Sequence, residues 1–373
     1  MQLSLDPQLI GSSPHIVKRD HSTKAIMLDV VIALIPVIVF SVFFFGYLVL
    51  VNIVVCILSC FLAELCFNLL NHRLRPEQAS YSKSSVHNLS FLVTAILLAL
   101  NLPVYTDIWG WSWHSDAMMY LSFDTIIICI VGSIFAIVVC KMLFGGLGQN
   151  FANPACTTRV FLLIAFTGSM MAHVPNLLFG ANTGGLYLTT GASWLGMTGD
   201  SVYNTAMHGR TFWNMFIGYT QSAAVGETSV FAIILGYGYL VFKKRIDWRL
   251  PLILIGATAI FAMLFGFVDN RVDYTDISVV FGYSLAQVMS GGLIFGAVFM
   301  ATDYSTSPNS FCGNIIFVCC IAFFTIFIRT FSAWQEGFSF ALLLGNVISP
   351  MIDRYVYPRK FGLVKHSSRR KFS

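Results

Sequence analysis

The run "IMLDVVIALIPVIVFSVFFFG", residues 26–46, holds one acid, no base and no alternation of polar with apolar residues. A strand crossing a membrane alternates at period two and needs only about 9–11 residues. This run is about twice that length and uniformly apolar, so it predicts a membrane-spanning helix. The same grammar recurs along the chain. Ten apolar runs follow one another at 26–46, 48–70, 86–105, 120–143, 156–174, 225–242, 250–268, 278–301, 312–329 and 335–352. Of the 373 residues 57% are hydrophobic and 10% charged, against about 25% charged in soluble domains; the mean hydropathy is +0.76. The sequence predicts an all-α, multi-pass membrane protein. Residues 1–24 form a polar N-terminal segment with no expected signal peptide, 25–353 the membrane domain, and 354–373 a basic tail.

Basic residues orient the spans. With the N-terminus inside, the inner segments hold 18 of the 22 Lys and Arg: Lys18, Arg19 and Lys24; Arg73, Arg75 and Lys83; Lys141; Lys243, Lys244, Arg245 and Arg249; and seven in the tail. The outer segments hold Arg210, Arg271 and Arg329, and Arg159 lies just inside the fifth run. This asymmetry places both termini in the cytoplasm and the segment 175–224 outside. Ten spans divide into five and five, and an odd number per half starts the second half on the opposite side. That is the arithmetic of an inverted repeat.

Ionisable groups at membrane depth are costly and face the protein interior. Four acids qualify: Asp29, Glu64, Glu227 and Asp303. Asp29, Glu227 and Asp303 are candidates for meeting a translocated ion; the alternative is that each lies at a helix end and sees water or a partner. Two stretches interrupt the apolar sequence: "FGGLGQNFANPACTTR" (144–159) and "SGGLIFGAVFMATDYSTSP" (290–308). Glycines admit close backbone approach, and asparagine amides read polar ring edges. These are site candidates, or else structural breaks where helices cross. Neither stretch is a phosphate loop of the GxxxxGK[ST] kind. The eight histidines lie in loops, tails or span ends, which argues against transmembrane haem. The nine cysteines make no CxxC pair and predict neither an iron–sulfur centre nor a disulfide framework; Cys56 and Cys60 share a helix face as packing residues. An aromatic stretch at 105–120 reads as an interfacial belt or a partner contact, and the tail as a solvated end near anionic headgroups. Nothing points to nucleic acid.

One polar loop lies outside, "LYLTTGASWLG" (186–196). It is either an ordinary turn or the carrier of a group attached to a hydroxyl.

Four segments together resemble one family. "GGLGQNFANPA" (145–155), "GETSVFAIILGYGYLVFKKRIDWRLP" (226–251), "SGGLIFGAVFMATDYSTSP" and "EGFSFALLLGNVISPMID" (336–353) are similar, in order, to segments of the RnfD/NqrB family. These are membrane subunits of the Rnf electron-transport complex and of the sodium-pumping NADH:quinone oxidoreductase. The resemblance implies ten helices in a urea-channel-like fold and a bacterial or archaeal cytoplasmic membrane. It also implies an FMN joined through its phosphate to the hydroxyl that ends an [ST]GAT motif on the outer side. The matching tetrad is Thr190-Gly191-Ala192-Ser193, so Ser193 stands at the acceptor position, with Thr190 and Thr189 as neighbouring hydroxyls. Here Ser replaces the family's Thr, and Tyr187 stands where an Asp is usual.

The family further implies a non-covalent riboflavin near GGLGQNxxNPA, which puts Asn150 and Asn153 against the flavin and gives Gly145, Gly146 and Gly148 the role of close approach. The implied activity couples electron transfer between ferredoxin and NADH to Na⁺ or H⁺ translocation. The implied partners are the other membrane subunits of the complex, including an FMN-bearing G subunit, and iron–sulfur subunits. Two rival readings are a small-solute channel of the same fold without redox chemistry, and a flavin-free structural subunit.

Overall fold

Where helices begin and end is set by a few local residues. The computed structural model describes residues 22–74, 88–103, 123–170, 213, 216–218, 224–266, 277–332 and 336–356. Helix α1 (Thr23–Phe45) starts where the Ser22 hydroxyl accepts from Ala25 N at 3.3 Å. It stops at Gly46, whose φ of 79° permits the tight turn into α2 (Leu48–Leu74). There follow α3 (Ser90–Asn101) and α4 (Phe123–Ile134), which runs on as a π-helical segment, Phe135–Met142. Helix α5 (Pro154–Ala165) has Pro at its first position and Asn153 as its cap. A short 3₁₀ turn at Val225–Glu227 precedes α6 (Val230–Phe242). The second half continues with α7 (Arg249–Gly266), α8 (Ile277–Met289), α9 (Leu293–Phe299), α10 (Phe311–Phe331) and α11 (Gly337–Tyr355). Among the described residues there is no strand.

Among the described residues five helices are long and apolar enough to cross a membrane: α1, α2, α4 with its π segment, α7 and α10. The bent pair α8–α9, kinked by 52°, makes a sixth. The chain is therefore a multi-pass membrane protein, and its apolar runs are helices as expected. Several runs are nevertheless interrupted. The run 225–242 is helical in its α form only from Val230, 156–174 holds α5 and a short turn Thr167–Met170, and 278–301 is broken at Ser290-Gly291-Gly292. The glycines explain the last break, since Gly291 adopts φ 63°. A 12-residue helix such as α3 or α5 spans only about 18 Å, less than the ~30 Å hydrocarbon layer. Backbone at membrane depth that is not helical is tolerated only where protein covers it.

That cover is visible. All of α9 is buried, and so is α3 apart from Leu92 and Val93. Around them, α1 and α2 turn Ile35, Val39, Val54 and Leu58 outward, an apolar surface suited to lipid. The packing of one half recurs in the other. Helix α2 packs on α3 and α4, as α7 packs on α8 and α10; the π segment meets α5, as α10 meets α11. The two halves join where α1 packs on α6 and α5 on α11. Leu89, just before α3, has φ 57°, and Gly291, in the α8–α9 break, has φ 63°. All nine cysteines are free, with Cys56 and Cys60 fully buried.

Candidate functional site

At one end of the bundle, near the start of α1, lies a cavity of roughly 100 Å³. Its walls come from α1, α3, the π segment, the 147–155 turn, α6 and the loop after α9. About half of the lining residues are apolar, with Val30, Val93, Leu97, Val298 and Phe299 among them. The polar ones include Asn150, Asn153, Lys141, Arg245, Asp303 and Ser305, beside Ser90, Thr94, Thr302 and Tyr304. Apolar walls with placed polar groups are usual in a small-molecule site.

Each polar group is held by its element. The turn before α5 carries Gly145, Gly146 and Gly148 at φ 111°, 93° and 87°, a left-handed sequence that only glycine adopts without strain. Gly146 N donates to Lys141 O at 3.0 Å and closes the π segment. Asn150 follows, 9% exposed, and its Oδ1 has no hydrogen-bond partner. The Asn153 side chain caps α5: its Oδ1 accepts from Ala155 N and Cys156 N at 3.1 and 3.3 Å. Its Nδ2 donates to Met300 O at 3.5 Å, tying α5 to the end of α9. Asp303 is half-buried in the loop after α9 and accepts from Ser305 N and Oγ at 3.3 and 3.0 Å. Burial holds its carboxyl above the usual aspartate range, against those hydrogen bonds, which pull it down. Asp29 accepts from Arg245 Nε at 2.7 Å and from the Tyr239 hydroxyl at 3.0 Å. Arg245 in turn lines the cavity. Lys141 is 2% exposed and donates to Glu64 Oε2 and to Ser90 Oγ, both at 2.7 Å.

A second cluster of charges lies away from this cavity. Arg159, on the second turn of α5, pairs through Nη1 with Glu227 and through Nη2 with Glu336, and Nη1 also donates to Asn101 Oδ1 at 2.5 Å. Glu227 Oε2 has no partner, and the Glu227 side chain is fully buried. Gly292 is required beside it, because a Cβ there would stand 2.3 Å from Glu227 Oε1. The network thus ties together the end of α3, α5, the 3₁₀ turn, the α8–α9 break and the start of α11. Ser41 locates it: its hydroxyl donates to Val225 O at 3.0 Å. Ser41 follows Asp29 by twelve residues on α1, so the network lies about 18 Å along the helix from Asp29.

The structure therefore brings Asn150, Asn153 and Asp303 to one cavity and Asp29 to its edge through Arg245, and it places Glu227 at the other end of α1. The three glycines shape the turn, and a Cβ at Gly146 or Gly148 would meet nothing within 4 Å. Ser193, Thr190 and Thr189 lie outside the described residues. Sequence reasoning missed Lys141, Arg159 and Arg245 as site groups. The signal was present for two of them, since a lone base in "VVCKML" and in "TTRVFLL" is costly in a span unless paired. Arg329, counted as an outer-loop base, is buried at the end of α10 and donates to Gln287 O at 2.5 Å and to Ser290 O at 2.9 Å.

Comparison with known proteins places the sequence. The model of the NQR2, RnfD, RnfE family matches residues 9–114 and 117–362. The chain is 32% identical to the D subunit of the Na⁺-translocating ferredoxin:NAD⁺ oxidoreductase complex of Acetobacterium woodii, over 95% of this chain and 96% of the relative. It is 31% identical to the D subunit of the proton-translocating ferredoxin:NAD⁺ oxidoreductase complex of Clostridium ljungdahlii, with the same coverage. To the D subunit of the ion-translocating oxidoreductase complex of Actinobacillus succinogenes it is 30% identical, over 95% of this chain and 97% of the relative. Matched along nearly its whole length, the chain belongs to the NQR2, RnfD, RnfE family.

Proposed function

We propose that the chain is the flavin-carrying membrane subunit of an Rnf-type complex, in which electron transfer between ferredoxin and NAD⁺ is coupled to movement of Na⁺ or H⁺. The observation that carries the reading is the juxtaposition in one cavity of Asn150, with a buried unpartnered amide oxygen, and Asp303, with its carboxyl held above the usual range. The first group is suited to a polar ring edge and the second to a cation. The lining suits a flavin's chemistry: apolar walls with Phe299 among them, Asn150 Oδ1 awaiting a donor, and N–H donors on Lys141 and Arg245, each paired with a carboxylate. At roughly 100 Å³ the cavity has to widen to take the ring system. A bound flavin supplies one- and two-electron chemistry. The protein's part is to orient the ring through Asn150, exclude water with Val93, Leu97 and Val298, and present Asp303 to an ion beside it. In a low dielectric, negative charge arriving in the cavity raises its affinity for a cation. Asp29 on this side and Glu227 about 18 Å away along α1 are the further acids of the route.

The reading includes a ten-span inverted repeat with both termini in the cytoplasm, and the bent α8–α9 pair and the recurring helix packing support it. On that topology the cavity faces the cytoplasm, where soluble electron carriers dock, and Ser193 faces outward as the acceptor of a phosphoester-linked FMN. The partners are the remaining membrane subunits, the FMN-bearing G subunit and the iron–sulfur subunits. Ultraviolet fluorescence of the denatured chain on a gel tests the covalent flavin. A fluorescent band lost in Ser193→Ala is expected. A dark wild-type band, with no flavin released by acid, sinks the reading and favours a solute channel.

A further inference from the structure

Among the buried bases, Lys141 differs from its counterpart in the other half. Arg329 sits at the end of α10, as Lys141 sits at the end of the π segment that completes α4. Arg329 directs its two Nη groups to Gln287 O, Gln287 Oε1 and Ser290 O, groups at the α8–α9 break, and its Nε has no partner. It is locked into its own half. Lys141 instead holds one carboxylate oxygen of Glu64 and the Ser90 hydroxyl, both at 2.7 Å. An ammonium group carries three N–H donors, and these two bonds use two of them. The same residue lines the cavity that Asn150 lines. It also lies in a π-helical segment, a distortion that recurs at functional sites because it resets which side chain faces inward. A buried cation needs a strong reason to persist at membrane depth, and pairing with Glu64 alone is met as well by two apolar residues.

We propose that Lys141 turns its remaining N–H to an acceptor on the flavin ring and so binds the reduced, more negatively charged ligand in preference to the oxidised one. This rests on the placement of a flavin in the cavity and adds a residue to it: Lys141 is a positioning and charge-selecting group, with Glu64 and Ser90 fixing its direction. Glu64 offsets part of the Lys141 charge, but an N–H donor aimed at the ring in a water-poor cavity still favours the more negative ligand form more strongly than it would in water. Glu64 keeps the ammonium from moving away when the cavity is empty.

The test is equilibrium binding of free riboflavin, oxidised and then chemically reduced under anaerobic conditions, to the flavin-depleted intact complex. Wild type is expected to bind the reduced form at least tenfold more tightly. Lys141→Met is expected to lose most of that preference with little change toward oxidised riboflavin, and Lys141→Arg to keep it. Because Lys141→Met leaves the Glu64 carboxylate buried without its cation, Lys141→Met with Glu64→Gln supplies a second variant with no stranded charge, and it too is expected to lose the preference. A preference retained in the paired variant overturns the role of Lys141 while leaving a flavin in the cavity. Riboflavin that fails to bind wild type, or that binds wild type and Asn150→Ala equally, removes the flavin from the cavity and overturns both.

Discussion

Arg159 shows what one side chain does in this fold. Its guanidinium faces two carboxylates and an amide in a place with 3% exposure. Removing one partner of a buried pair leaves an uncompensated charge and costs about 3–5 kcal/mol. Arg159→Met is therefore expected to lower the thermal unfolding temperature in detergent markedly. Arg159→Lys recovers only part of the loss, because an ammonium cannot serve two carboxylates in a planar fork. An unchanged unfolding temperature in Arg159→Met would remove the network from the stability of the fold. Gly292→Ala tests the same place from the backbone side. Its Cβ would crowd Glu227 Oε1, and overpacking of this kind costs about 1–3 kcal/mol. Asp303 makes a prediction about pH. Its carboxyl is raised by burial, so it takes up a proton at a higher pH than an ordinary aspartate. Ion uptake that requires the carboxylate falls as pH drops, starting above the ordinary aspartate range, and Asp303→Asn is expected to abolish that uptake across the pH range. Transport whose acid limb is identical in Asp303→Asn places the ion elsewhere.

At the scale of elements, the close crossings are made by glycines whose neighbours are backbone or rings. On α6, a Cβ at Gly236 would stand 2.3 Å from Ala33 O on α1, whereas one at Gly238, two residues on, would meet nothing within 4 Å. Gly236→Ala is expected to destabilise the α1–α6 crossing, and Gly238→Ala to be neutral or mildly stabilising, since alanine favours helix over glycine by about 1 kcal/mol. Paired unfolding curves decide it, and equal effects would mean that the helices do not cross there. Asn153→Ala removes the cap of α5 and is expected to cost about 1 kcal/mol. The element scale is also where sequence reading reached its limit. Hydropathy finds an apolar run whether or not its backbone is continuous, so "SGGLIFG" could be marked as a break but the 52° kink could not be measured. Likewise Asn153 reads as a ligand or a cap with equal ease; two hydrogen bonds to the backbone of α5 identify the capping role.

For the whole molecule, composition and run length were enough for the class, because only a membrane protein can carry so little charge over so many apolar helices. What pairs with what was not legible. Arg159 and Glu227 are 68 residues apart, as their hydrogen bond records, and a base in one run carries no mark of the acid in another. Lys141 and Arg329 are buried and partnered, so neither counts as a free loop base in the orientation that the basic residues imply. Each lay on a different side, and the asymmetry persists without them. Cysteine labelling of the intact membrane is expected to place residue 193 on the face opposite the C-terminal tail; labelling from the same face would contradict the inverted repeat. The central claim is that the cavity at the start of α1 holds a flavin through Asn150, whose amide oxygen has no partner within the protein, so that its loss costs the fold little. The direct measurement is the flavin released by acid from gently purified chain. The account predicts stoichiometric release from wild type and none from Asn150→Ala at an unchanged unfolding temperature. Equal release from both, or none from wild type, would contradict it.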